Sequence, residues 1–208
     1  MPNLVSVNIA AVAVTGAWTG SEGRSGIDKR PVEHPVRLAD NHVAGDTVVD
    51  RKHHGGPHKA VYAYAQEDAQ WWEQQLDRSI APGAFGENLT TLGINLNALT
   101  IGTKLRVGDA ILEVSEPRIP CRVFAGFWDL PHLVKDFTAA GRPGTYLRII
   151  EPGDVSAGGT IDIIESPDHH VTIAMAFKAK SNDLARTELL PALAHFSDDW
   201  QNWITKAH

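Results

Sequence analysis

All eighteen glycines of this 208-residue chain lie before residue 160, and none follows. This asymmetry predicts two kinds of structure along one chain. From Leu4 to about Ile164, short apolar or alternating runs are separated by Gly, Pro, Asp and Asn, the pattern of strands joined by tight turns. Lys104 to Val107 alternates, Gly108-Asp109 supplies a turn, and Ala110, Leu112 and Val114 resume on one face, which predicts a hairpin. Val5 to Val14 reads as a buried strand, and Ala60 to Tyr64, Tyr146 to Ile150 and Thr160 to Ile164 read as further strands. Many short strands at this spacing favour a mainly β fold, a barrel or sandwich, over a layered βαβ fold. Helical spacing enters at Ala69, Trp72 and Leu76 and again over Pro131 to Ala140, as short excursions.

Beyond Ser166-Pro167 the spacing turns helical. The expected division is a β domain over residues 1–166 and a small helical appendage over residues 167–208. Ser181-Asn182-Asp183 and Ser197-Asp198-Asp199 read as helix starts, Pro191 as a break between helices, and Phe196, Trp200 and Ile204 as an apolar stripe.

The formal charge of -6 is modest, with both signs scattered and no Lys/Arg tract, which argues against a nucleic-acid or membrane-surface protein. The N-terminal apolar stretch lacks preceding basic residues and is too short to span a bilayer. A single cysteine allows no internal disulfide. The chain is therefore expected to be cytoplasmic, with Cys121 a free thiol.

Three segments carry candidate chemistry besides that thiol. Gly45 to Lys59 sets His53 and His54 before Gly55-Gly56, with Lys52 and Lys59 nearby, which suits an oxyanion or phosphate site as well as a solvated loop. Zinc finds little support in adjacent histidines without a cysteine pair. Pro82 to Thr91 combines glycines with Asn88, Thr90 and Thr91, donors and acceptors suited to a heterocycle or to an ordinary connection. Ser25 to Val32 places Lys29 and Arg30 before a strand. Cys121 itself follows Pro120 and stands between Arg118 and Arg122, whose charge favours thiolate over thiol. Spacing alone leaves it open as nucleophile, metal ligand or buried small hydrophobe.

Taken together, Lys29-Arg30-Pro31-Val32, Gly45-Asp46, His54-Gly55-Gly56, Gly86-Glu87-Asn88-Leu89-Thr90 and Pro117-Arg118-Ile119-Pro120-Cys121 resemble the MOSC domain, named from the C-terminal domain of molybdenum cofactor sulfurases. The resemblance is to the stand-alone bacterial YiiM-like branch, which adds a three-helix C-terminal region. It implies a MOSC-type β-barrel binding the molybdenum cofactor (molybdopterin), with Cys121 as thiolate ligand to the metal. Lys29, His54, Gly55, Gly56, Asn88, Thr90 and Arg118 match the family's positions and would line the pocket for pterin and phosphate. His58 departs from the family pattern, which usually has an acidic residue there.

The activity implied is reduction of N-hydroxylated compounds such as 6-hydroxylaminopurine to amines. A carrier of molybdopterin or persulfide sulfur on Cys121, without turnover, is the alternative. One cysteine cannot hold a four-thiolate iron–sulfur cluster, and neither a GxGxxG nor a Walker A spacing occurs. A reductase of this kind would take electrons from an external redox partner.

Overall fold

The turn-forming residues fall between strands that pair into one large curled sheet and one small one. The structure is a computed structural model describing residues 1–182 and 184–206, without the side chains of Lys52 and His53. The strands are β1 (Asn3–Ile9), β2 (Arg30–Val32), β3 (Val36–Ala39), β4 (His42–Val43), β5 (Val61–Ala65), β6 (Leu89–Leu92), β7 (Lys104–Val107), β8 (Ala110–Pro117), β9 (Thr145–Glu151), β10 (Gly153–Val155) and β11 (Ile161–Glu165). The helices are α1 (Arg51–His54), α2 (Gln66–Leu76), α3 (Arg122–Phe127), α4 (Leu133–Ala140), α5 (Ile173–Lys180) and α6 (Asp198–Thr205), with 3₁₀ segments that include Pro57–Lys59 and Arg186–His195.

The main sheet runs β11-β7-β8-β9-β5-β6-β1-β2, and β10-β3-β4 form a second, small one. Among the described residues only the β5–β6 pair, joined across α2, is parallel. The expected hairpin is present: Val107 pairs with Ala110 and Lys104 with Glu113.

The expected mainly β barrel is corrected to a mixed, open sheet carrying several helices. The curl brings β1 to the lead-in of β11, where Asn3 bridges Thr160, Leu4 N donates to Gly159 O at 2.8 Å and Gly158 N donates to Leu4 O at 2.8 Å. This contact is an isolated bridge rather than a ladder, so the ring does not close. β1 also ends at Ile9, before the predicted Val14, and Val12 is exposed.

β5 explains how the interior is divided. Its five residues are all buried, and alternation sends Val61, Ala63 and Ala65 into the main aliphatic core while Tyr62 and Tyr64 enter a separate aromatic core. That second core holds Phe85, Phe124, Phe137 and Trp72, covered by α2, α3 and α4.

The tail is helical, as its loss of glycine predicts. Thr172 opens α5 by accepting a hydrogen bond from Met175 N. Ser181 closes α5 instead of starting a new helix, and Asp183 of the same expected cap lies outside the described residues. Pro191 lies inside the 3₁₀ segment rather than separating two helices. Lacking an N–H, Pro191 donates no backbone hydrogen bond within that segment. Ile173, Ala176, Leu189, Phe196, Trp200 and Ile204 belong to the same core as β1, β5 and β8, so the tail shares its packing with the sheet. Among the described residues no helix is long and apolar enough to cross a membrane.

Candidate functional site

A cavity of about 200 Å³ opens where the end of β8, the start of α3, the inner face of β5 and the long connection between β1 and β2 meet. Lys29, Asp46, His54, Tyr62, Asn88, Arg118, Cys121 and Tyr146 all contribute to its wall.

One side is a framework of buried polar groups. Asp46 accepts from Ala10 N at 2.8 Å and from Asn88 Nδ2 at 2.9 Å, and pairs with the ammonium of Lys29. Both charges are 8% exposed. Burial pulls the Lys29 pKa down from its ordinary value, opposed by the attraction of Asp46. Asn88 also accepts from Tyr62 N at 3.2 Å and donates to Asn8 O at 3.3 Å, which engages both ends of its amide in tying β1 to β5.

Behind this lies Glu87, which accepts from Gly83 N at 2.6 Å, Phe85 N at 3.0 Å and Thr90 Oγ1 at 2.8 Å. Burial still raises its pKa despite those donors. The turn at Gly83 requires glycine: its φ is +88°, and a Cβ there would lie 2.4 Å from Lys29 O.

The opposite side carries the sulfur. Arg118 follows β8 and is 4% exposed, its guanidinium carbon 3.9 Å from the Phe124 ring centroid and 5.4 Å from that of Tyr62. Its Nη1 is buried and meets no hydrogen-bond partner, and among the described residues no carboxylate pairs with it. Cys121 is half-buried in extended conformation at the residue preceding α3. Tyr146, on β9 opposite Glu116, places its hydroxyl 3.3 Å from His54 Nδ1. Burial pushes the Tyr146 pKa up to about 12.

Of the expected residues, Lys29, His54, Asn88, Arg118 and Cys121 meet at the cavity. Gly55, Gly56 and Thr90 are not part of its wall. Thr90 Oγ1 donates to Glu87 and accepts from Asn8 Nδ2, while Gly56 takes a φ of +88° between α1 and the next 3₁₀ turn. His58 turns away to Ser115, with Nδ1 3.0 Å from its hydroxyl. The side chains of Lys52 and His53 lie outside the described residues. Sequence reading missed Tyr62, Tyr146 and the connection from Thr19 to Arg24, and it named Asp46 without giving it a place in the site. Among the described residues no three His, Cys, Asp or Glu side chains converge as a metal cage.

The sequence profile of the MOSC domain matches residues 50–162, more than half of the chain. The chain belongs to the MOSC domain family. This MOSC protein is similar to protein YiiM of Escherichia coli (strain K12), 31% identical over 194 residues that cover 89% of this chain and 85% of that one. It is also similar to a protein named Reductase from Gibberella moniliformis (strain M3125 / FGSC 7600), 30% identical over 167 residues, 78% of this chain but 30% of that protein. The solved structure of YiiM from Geobacillus stearothermophilus superposes with a TM-score of 0.79 at 28% identity, covering 98% of this MOSC chain and 97% of that one. The fold is thus YiiM-like.

Proposed function

We propose that this MOSC protein binds the molybdenum cofactor and reduces N-hydroxylated compounds, such as 6-hydroxylaminopurine, to amines. The observation that carries this reading is that one cavity is lined by both Cys121 and Arg118, a buried guanidinium whose Nη1 meets no hydrogen-bond partner. A buried guanidinium without a counter-charge is costly, and an anionic ligand relieves that cost. Thiolate ligation suits a soft metal centre, and a single protein thiol leaves the remaining ligands to a cofactor. The residues present therefore fit a cofactor that is anionic and incompletely ligated by itself. The name of the fungal relative supports an oxidoreductase.

Cys121 would ligate the metal, Arg118 and Lys29 would offset negative charge on the cofactor, and Asn88 and Asp46 would hold Lys29 and the β1–β5 seam in place. When bound, the cofactor would supply two-electron redox chemistry for cleavage of the N–O bond. The reaction consumes two electrons and two protons per R–NHOH and yields R–NH₂ and water. Electrons come from an external one-electron carrier, in keeping with one cysteine and no nucleotide-binding spacing.

The test is protein from cofactor-making cells, supplied with reduced viologen and an N-hydroxylated purine. Amine formation that depends on the donor supports the reading. Persulfide on Cys121 with no amine formed would replace it with the carrier role.

A further inference from the structure

Reduction of an N–OH group needs protons as well as electrons, and among the hydroxyls of the cavity wall that of Tyr146 stands beside an imidazole. We propose that Tyr146 is the general acid of this site, protonating the oxygen as it leaves nitrogen, and that His54 re-supplies its proton. This rests on the reductase reading above.

Geometry carries the assignment. Tyr146 stands on β9, paired through Glu116 and through Tyr62 on the two flanking strands. Its ring lies 5.2 Å from the Tyr62 ring, so the phenol is held by the sheet and not by a loop. His54 comes from the opposite side on α1, with Nδ1 3.3 Å from the hydroxyl, and both residues reach the same cavity as Cys121. Among the described residues the charged and titratable groups around Tyr146 include Arg118, Cys121, Glu116, Tyr62 and His54. Burial keeps the phenol protonated at neutral pH, the form a donor needs.

The step balances as follows. The N–O bond breaks, two electrons arrive from the external carrier, and the departing oxygen takes one proton from Tyr146 Oη. His54 Nδ1–H returns a proton to the phenolate and is itself replenished from solvent through the cavity mouth. The other proton of the overall reaction comes from solvent. Tyr62, although on the neighbouring strand, is unsuited to this task because its hydroxyl donates to Pro143 O at 2.8 Å.

The experiment uses Tyr146→Phe and His54→Gln in cofactor-loaded protein, with reduced viologen as donor and 6-hydroxylaminopurine as substrate. Tyr146→Phe keeps the ring and its packing. It is expected to hold as much molybdenum as the wild type while kcat falls by about 10²-fold or more, with KM little changed. The solvent isotope effect on kcat should rise. His54→Gln should lose about tenfold, less than the tyrosine variant, because water can substitute for the relay. A second readout needs no cofactor: nitrogen NMR of the cofactor-free protein should show His54 protonated at Nδ1 in the wild type and shifted to Nε2 in Tyr146→Phe.

Full molybdenum content with wild-type kcat in Tyr146→Phe would overturn the assignment, as would a Tyr146→Phe protein that fails to load the metal, since that would make the hydroxyl a binding group. A wild type that holds molybdenum and reduces no N-hydroxylated base would instead remove the reductase reading, and the assignment with it.

Discussion

The guanidinium of Arg118 stacks 3.9 Å from the centre of the Phe124 ring, with one nitrogen buried and unbonded beside the cavity. The aromatic face offsets part of the charge's burial without supplying a hydrogen-bond acceptor, which leaves the hydrogen-bonding capacity of Nη1 unmet. Phe124 belongs to α3, the helix that Cys121 precedes. Arg118 and the thiol are thus fixed relative to each other through one packed core.

Arg118→Met should therefore separate stability from binding. Removing an unpaired buried charge should leave the urea midpoint of the cofactor-free protein unchanged or raise stability by about 1–3 kcal/mol. Molybdenum retained after gel filtration should fall. Arg118→Lys should not restore retention, because an ammonium lacks the planar face and the fork of donors.

Asp46→Asn should behave in the opposite way. It strips the counter-charge from Lys29 while leaving the ammonium buried, and breaking a buried pair from one side costs about 3–5 kcal/mol. Urea unfolding should show that loss. Asp46→Asn together with Lys29→Met should recover a large part of it.

The tail should unfold with the sheet. Trp200 is buried, stacked 5.1 Å from Phe196 and approached by Lys180 Nζ at 4.5 Å from its ring centre. Trp200→Ala should cost about 3–5 kcal/mol and shift one transition for the whole chain. An early, separate transition would show the tail to be an independent unit.

His58 should make the fold acid-sensitive. Burial, helped by Arg148, lowers its pKa below the ordinary 6.5. As pH falls past 6.5, the unfolded chain takes up a proton that the folded ring refuses, so the unfolded state binds more protons and stability drops. The contribution is present in full above pH 6.5 and is lost as pH falls through the folded value. Between pH 7.5 and 5 the urea midpoint of His58→Gln should decline less than that of the wild type, and an equal decline would mean that His58 contributes nothing.

The chemistry-bearing residues were more legible in the sequence than the architecture that gathers them. Lys29, His54, Arg118 and Cys121 sit in short motifs whose glycines and prolines mark unusual backbone, and the structure brings all four to one cavity. Tyr62 and Tyr146 gave no such signal. Strand alternation shows that two faces exist, but only the pairing of β5 with both β6 and β9 decides which face meets the cavity. The open sheet was hidden for a related reason. Whether a curled sheet closes depends on the meeting of Asn3 with Thr160, a contact between residues far apart in the chain that local patterning does not encode. Thr90 and Asn88 illustrate a third limit, since a motif residue can serve the framework: Thr90 is consumed by Glu87 and Asn8, and Asn88 by Asp46, Asn8 and Tyr62.

The central claim is that Cys121 holds the metal of a bound cofactor. Its most direct measurement is the molybdenum content of wild type and Cys121→Ala purified side by side from cells that make the cofactor. Wild-type protein should carry molybdenum and Cys121→Ala only a small fraction of it, with both folded to the same degree by circular dichroism. Equal molybdenum in the two proteins would contradict the claim.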